Sequence, residues 1–153
     1  MIKIEVLNLA WEPGKEINKQ LPLEEQLKFE DWIALEFVKM VQKSVNEQRY
    51  RAKWVPLSLA YLAYKRERGW SLKTWEATGE LISNLQFKKA DRSIGFDAGK
   101  RHAGSEETYL SIARRLEYGD LKVPPRPLFR QVYWYMRKNV RYFYNKYLKE
   151  GGQ

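Results

Sequence analysis

Between Leu23 and Gln48 the chain carries more apolar residues at helical spacing than one helix face holds. Leu27, Ala34, Val38, Val41 and Val45 make one stripe, and Phe29, Trp32, Ile33 and Phe37 widen it onto a second. A helix covered on more than one face has to lie among other elements, so the rest of the fold is expected to assemble around it. Pro22 stands at its start, and Glu24 and Glu25 in the first turn suit the positive end of the helix.

The remaining segments read as short elements. Ile2, Ile4 and Val6 alternate along a strand over residues 2–7, and residues 8–22, broken by Pro13 and Gly14, are expected as an extended loop or arm. Pro56 forces an extended approach to Ser58, which caps a helix running to Arg68, with Gly69 as its left-handed stop. Ser71 starts a short turn through Trp75. Residues 83–97 form a hairpin, with Leu85 and Phe87 on one arm, Ile94 and Phe96 on the other, and Ala90-Asp91 near the turn. Ser105, followed by Glu106 and Glu107, opens a helix that shows Tyr109, Ile112, Ala113 and Leu116 on one face and stops at Gly119. Pro124-Pro125-Arg126-Pro127 is a rigid lead into a last helix, where Phe129, Val132, Met136, Val140, Phe143 and Tyr147 make the core stripe. The expected fold is a single α+β domain over residues 1–153. It has a small antiparallel sheet packed with about four helices, the first and the C-terminal ones long.

Composition excludes several classes of chemistry. A chain of 153 residues, 44% hydrophobic and 14% aromatic, buries a core of ordinary size. With no cysteine it has no disulfide, thiolate nucleophile or Cys-ligated zinc, and His102 alone cannot make a histidine metal site. The longest apolar run, Leu57 to Tyr64, falls far short of a membrane span, and the alternating N-terminus lacks a signal-peptide core, so a soluble, unsecreted protein is expected. The adjacent acids Glu24-Glu25, Glu30-Asp31 and Glu106-Glu107 do not face each other on a helix, and Gly95 to Gly99 lacks the Gly-Lys-Ser/Thr of a phosphate loop. No catalytic residue, metal site or cofactor is expected.

Charge is unevenly distributed. Residues 1–38 hold eight acids and four bases, whereas residues 39–153 hold 24 bases and 11 acids; from Lys122 to Lys149 there are eight bases and no acid. Such a chain binds a polyanion or pairs its acidic end with the basic region of another copy. In the second case Glu30, Asp31 or Glu36 of one subunit faces Arg or Lys of the next. The last helix interleaves Arg130, Arg137, Lys138, Arg141, Lys146 and Lys149 with Tyr133, Trp134 and Tyr144, a pattern that serves either as a protein interface or, alternatively, as a basic nucleic-acid-binding surface. With Arg126 on its stiff lead, the expected interface is Glu30, Asp31, Glu36, Arg126, Phe129, Arg130, Trp134, Arg137, Lys138, Arg141 and Tyr144.

One ordered series of motifs goes further. Trp54-x-Pro56-Leu57-Ser58 is followed by Lys65, Thr78-Gly79-x-Leu81, the hairpin, Ile112-Ala113-x-x-Leu116-Glu117-Tyr118-Gly119 and Pro125-Arg126-Pro127-Leu128-Phe129. The series resembles the tailed-phage virion-morphogenesis and tail-completion proteins, small subunits of the neck between head and tail. It runs from Trp54 to the C-terminus; Leu128-Phe129 reverses the usual Phe-Leu order, and the first 38 residues match no motif. The resemblance implies a structural virion protein of the tail-completion or tail-terminator type, made in the host cytoplasm. It would form a ring, a hexamer or a dodecamer, against adjacent neck, portal-side or tail-tube proteins, with packaged DNA passing non-specifically and no membrane involved. In this reading Thr78-Gly79 kinks the backbone at the sheet, Glu117-Tyr118-Gly119 ends a helix on the surface, and Arg126 either reaches a neighbour or closes the last helix onto its own domain.

Overall fold

The computed structural model describes residues 1–76, 79–99, 101 and 106–151; Thr78, His102 and the expected cap Ser105 lie outside them. The expected α+β architecture is present. Four strands, β1 (Ile2–Ile4), β2 (Leu9–Trp11), β3 (Gln86–Lys88) and β4 (Ser93–Gly95), form one sheet in the order β2-β1-β4-β3. Its helices are α1 (Pro13–Ile17), α2 (Leu23–Asn46), α3 (Leu59–Glu67), α4 (Glu80–Ser83), α5 (Tyr109–Tyr118), α6 (Phe129–Lys138) and α7 (Val140–Glu150), with a 3-10 turn at Arg51–Lys53. Seven helices among the described residues replace the four expected. None of them is long and apolar enough to cross a membrane.

The sheet is mixed rather than antiparallel. β1 pairs antiparallel with β2 through Ile2 and Trp11, and β3 pairs antiparallel with β4 through Phe87 and Ile94, as the hairpin predicts. The centre joins β1 to β4 in parallel, Lys3 opposite Ser93 and Ile4 opposite Ile94. Ile2, Ile4 and Ile94 are wholly buried at this junction. Residues 8–22 are not an extended arm. A tight turn, with Asn8 at φ 50°, folds the chain back so that Leu9–Trp11 adds a strand, and Pro13 starts α1, where it needs no N–H partner.

The long helix α2 lies at the centre, against α1, α4, α6, α7 and strand β3. Phe29, Ile33, Ala34, Phe37, Val38, Val41 and Val45 are buried along it, while Leu27 and Trp32 are only half-buried. The C-terminal helix is divided at Asn139, whose φ of −108° and ψ of 23° leave the helical region. Its side-chain amide donates to the Tyr135 carbonyl at 2.8 Å, the local competition that lets Asn interrupt a helix. Both halves keep the expected stripe, with Phe129, Val132, Met136, Val140, Phe143 and Tyr147 all buried.

Candidate interaction surface

The motif pieces, far apart in the sequence, meet in one cluster. Glu117, at the end of α5, has no exposed surface. Its carboxylate accepts the backbone N–H groups of Leu128, Phe129 and Arg130 at 2.8, 2.9 and 2.9 Å, and the Arg130 guanidinium at 3.1 Å. These are the free N–H groups of the first turn of α6, so a buried negative charge sits at the positive end of a helix. The expectation that Glu117 ends a helix on the surface is therefore corrected. Its helix ends at Gly119, with φ of 76° and a backbone so close that a β-carbon there would lie 2.7 Å from the Pro125 nitrogen.

The same turn fixes Arg126. Only 6% exposed, it donates from Nε to the Val55 carbonyl at 2.8 Å and from Nη2 to the Pro56 carbonyl at 3.3 Å. Burial lowers its pKa from the ordinary arginine value, with Tyr61 opposing the shift. Trp54 donates its indole N–H to the Pro127 carbonyl at 2.7 Å, and Trp75 to the Arg126 carbonyl at 2.9 Å. Of the two roles open to Arg126, the structure has the internal one. It closes the lead of α6 onto the Trp54-x-Pro56 segment.

What this cluster holds is α3. Ser58 caps the helix as expected, its hydroxyl accepting the Tyr61 N–H at 3.1 Å, and Gly69 ends the segment at φ 66°. Yet α3 buries only one residue, Lys65; Leu59 is 85% exposed, and Ala60, Tyr61, Ala63 and Tyr64 are exposed too. A helix normally hides its apolar stripe, whereas here an apolar helix stands off the core on a charged root. The Lys65 ammonium donates to the carbonyls of Lys73 at 2.8 Å and Glu76 at 2.6 Å, and its burial lowers the pKa despite the opposing charge of Glu76. Gly79, at φ 86°, opens α4 just beyond.

The acidic residues expected to meet a second subunit are bound within the chain. Arg92 donates to Glu30 at 3.0 Å and to Asp31 at 2.6 Å, and Lys89 lies 3.6 Å from Asp31. Glu36 pairs with Lys39 at 3.1 Å and Lys146 at 3.2 Å; its hydrogen bond is the main cause that raises the Lys146 pKa. Phe129 is core, packed on Trp75 and Phe37. Arg130 serves Glu117, and Arg137 bridges to Glu16 at 3.1 Å. Tyr144 is half-buried against Phe29, and Tyr133 is buried edge-on to Trp11. Trp134, Lys138 and Arg141 remain exposed on the C-terminal helices. Sequence reasoning missed the exposure of α3; the signal was an unbroken run, Leu59 to Tyr64, that gives a short helix no polar side.

The fold and this cluster define a small α+β protein with a protruding helix, and among the described residues no three His, Cys, Asp or Glu side chains are grouped so as to hold a metal ion. Compared with protein-family models, curated proteins and solved structures, the chain matches none.

Two substitutions test the cluster. Glu117→Gln turns an NH2 donor toward N–H donors and removes the buried charge, and should lower stability by about 3 kcal/mol or more, read by urea denaturation. Lys65→Met leaves two carbonyls without their donor and should cost about 1–3 kcal/mol. In hydrogen exchange its loss of protection should centre on residues 59–76 and spare α2.

Proposed function

We propose that the chain is a non-enzymatic structural protein of the tailed-phage neck, of the tail-completion or tail-terminator type, that joins tail to head as a ring subunit around the DNA channel. The reading rests on α3, an apolar helix that its own chain leaves in water. Such a surface belongs to a subunit whose neighbour completes its burial. The motif residues behind the resemblance also touch one another: Trp54, Pro56, Glu117, Arg126 and Pro127 make one bonded cluster at the root of α3. That contact gives a physical reason for their occurrence as a set. The partners are further copies of the chain, in a ring of six or twelve, and the adjacent neck, portal-side or tail-tube proteins. The protein is then a component of the virion.

In this reading the contact between subunits is apolar and made by the arm, because Glu30, Asp31 and Glu36 are already held by cations of their own chain. A monomeric nucleic-acid-binding domain is the second reading, favoured by Lys138 and Arg141 beside the exposed Trp134.

Light scattering across a concentration series, with negative-stain images, tests the first reading. The expected species is a closed ring of about six or more subunits, which gains mass as salt screens the like charges of neighbouring arms. Leu59→Glu should return it to monomers without lowering the melting temperature, since Leu59 makes almost no contact within the chain. A chain that stays monomeric throughout the series, or a ring that Leu59→Glu leaves intact, would remove the arm as the basis of assembly.

A further inference from the structure

We infer that the root of the arm, where α2 ends and the 3-10 turn meets α6, is a binding surface for duplex DNA, held through the phosphate backbone. Residues 49–73 contain seven bases and one acid, Glu67, a net +6 out of +9 for the whole chain. Elsewhere many of the cations meet a carboxylate, Arg92, Arg115, Arg130, Arg137 and Lys146 among them. In residues 49–73 none does among the described residues; the side chains turn to aromatic rings and carbonyls instead. Arg49 lies 5.9 Å from the ring centre of Tyr135 on α6, and Lys53 lies 6.0 Å from that of Tyr50 and 3.4 Å from Gln131. Lys73 donates to the Asn46 carbonyl at 2.9 Å, at the C-terminal end of α2, so it joins Arg49, Arg51 and Lys53 around one helix end.

The aromatic residues beside them argue for phosphate contact rather than base stacking. Tyr61 and Tyr64 stack on each other at 6.0 Å, and the Arg68 guanidinium covers the Tyr64 ring at 3.7 Å. Ring faces occupied in this way are poor platforms for a base, while every basic residue of the segment except the buried Lys65 is at an exposed position. Unpaired cations concentrated in one segment make a polyanion site, and duplex DNA presents one phosphate charge per about 1.7 Å of its axis. Lys138 borders this surface, three residues beyond Tyr135 on α6, whereas Arg141 and Lys149 lie on α7; the inference holds for a monomer as well as for a ring.

The test is fluorescence anisotropy with a short labelled duplex across a salt series. Two triple variants lose the same charge: Arg49→Gln/Arg51→Gln/Lys53→Gln at the root, and Lys19→Gln/Arg141→Gln/Lys149→Gln at exposed positions on the α1–α2 link and α7. The root triple should weaken binding about tenfold or more at low salt and make the slope of log affinity against log salt shallower by about 2 to 3, while the other triple changes little. If the root triple melts early, Arg51→Gln and Arg66→Gln, both at exposed positions, should each flatten the slope by about one. Equal losses from the two triples would mean diffuse net charge and overturn the inference. So would tighter binding of a single strand than of the duplex, or capture by phosphatidylserine vesicles that the duplex fails to compete. Scattering on the same samples reports the mass separately, so loss of DNA binding and loss of assembly are distinguishable.

Discussion

A carboxylate with no exposed surface needs donors supplied by the protein, and Glu117 has four within hydrogen-bonding reach. Three are backbone N–H groups that open α6, so the charge is stabilised by the peptide dipoles of that turn as well as by Arg130. The bond arrangement fixes where α5 stops and where α6 starts, across a connection that Gly119 makes tight enough to exclude a side chain. Arg126 lies between those two ends, and its guanidinium and carbonyl bind the segment before α3 and the indole of Trp75. Removal of the Glu117 charge would therefore loosen both the start of α6 and the root of α3.

The arm follows from this chain of contacts. A short helix in water is marginal by itself, and most helices gain their stability from an apolar face packed on the core. With only Lys65 buried, α3 is held by its cap, by the two carbonyl contacts of Lys65, and by the anchored segment that precedes it. An unpartnered apolar helix held this firmly at one end presents its surface in a fixed orientation. Its association then costs less ordering entropy than that of a loose peptide of the same composition.

How much could be read beforehand depended on how local the cause was. The stripe of α2, the Ser58 cap, the stops at Gly69 and Gly119, and the 83–97 hairpin are set by residues a few positions apart, and all are present. The parallel pairing of β1 with β4 joins residues about ninety apart, and no pattern within either strand specifies it. The strand at Leu9–Trp11 was hidden by Pro13 and Gly14, which mark a turn but equally start a helix. Glu117 looked like an ordinary charged residue before a helix stop; only the return of Leu128–Arg130 reveals its role. The acids of α2 were legible as a charge excess but not as partners of Arg92 and Lys146, which come from later in the chain.

Those internal pairs reverse the expected electrostatics of assembly. With Glu30, Asp31 and Glu36 free, copies would attract one another through opposite charges, and salt would weaken the contact. With these acids held inside, two approaching arms bring together segments of net +6, while the attractive term is the apolar surface around Leu59. Like charges within a Debye length of about 8 Å at physiological ionic strength repel, so apolar association improves as salt rises or as a polyanion lies along the cationic root. Bound DNA would supply that neutralisation locally, and the exposed helix and the unpaired cations would then act in the same direction: the phosphate backbone removes the repulsion that otherwise keeps the apolar arms apart.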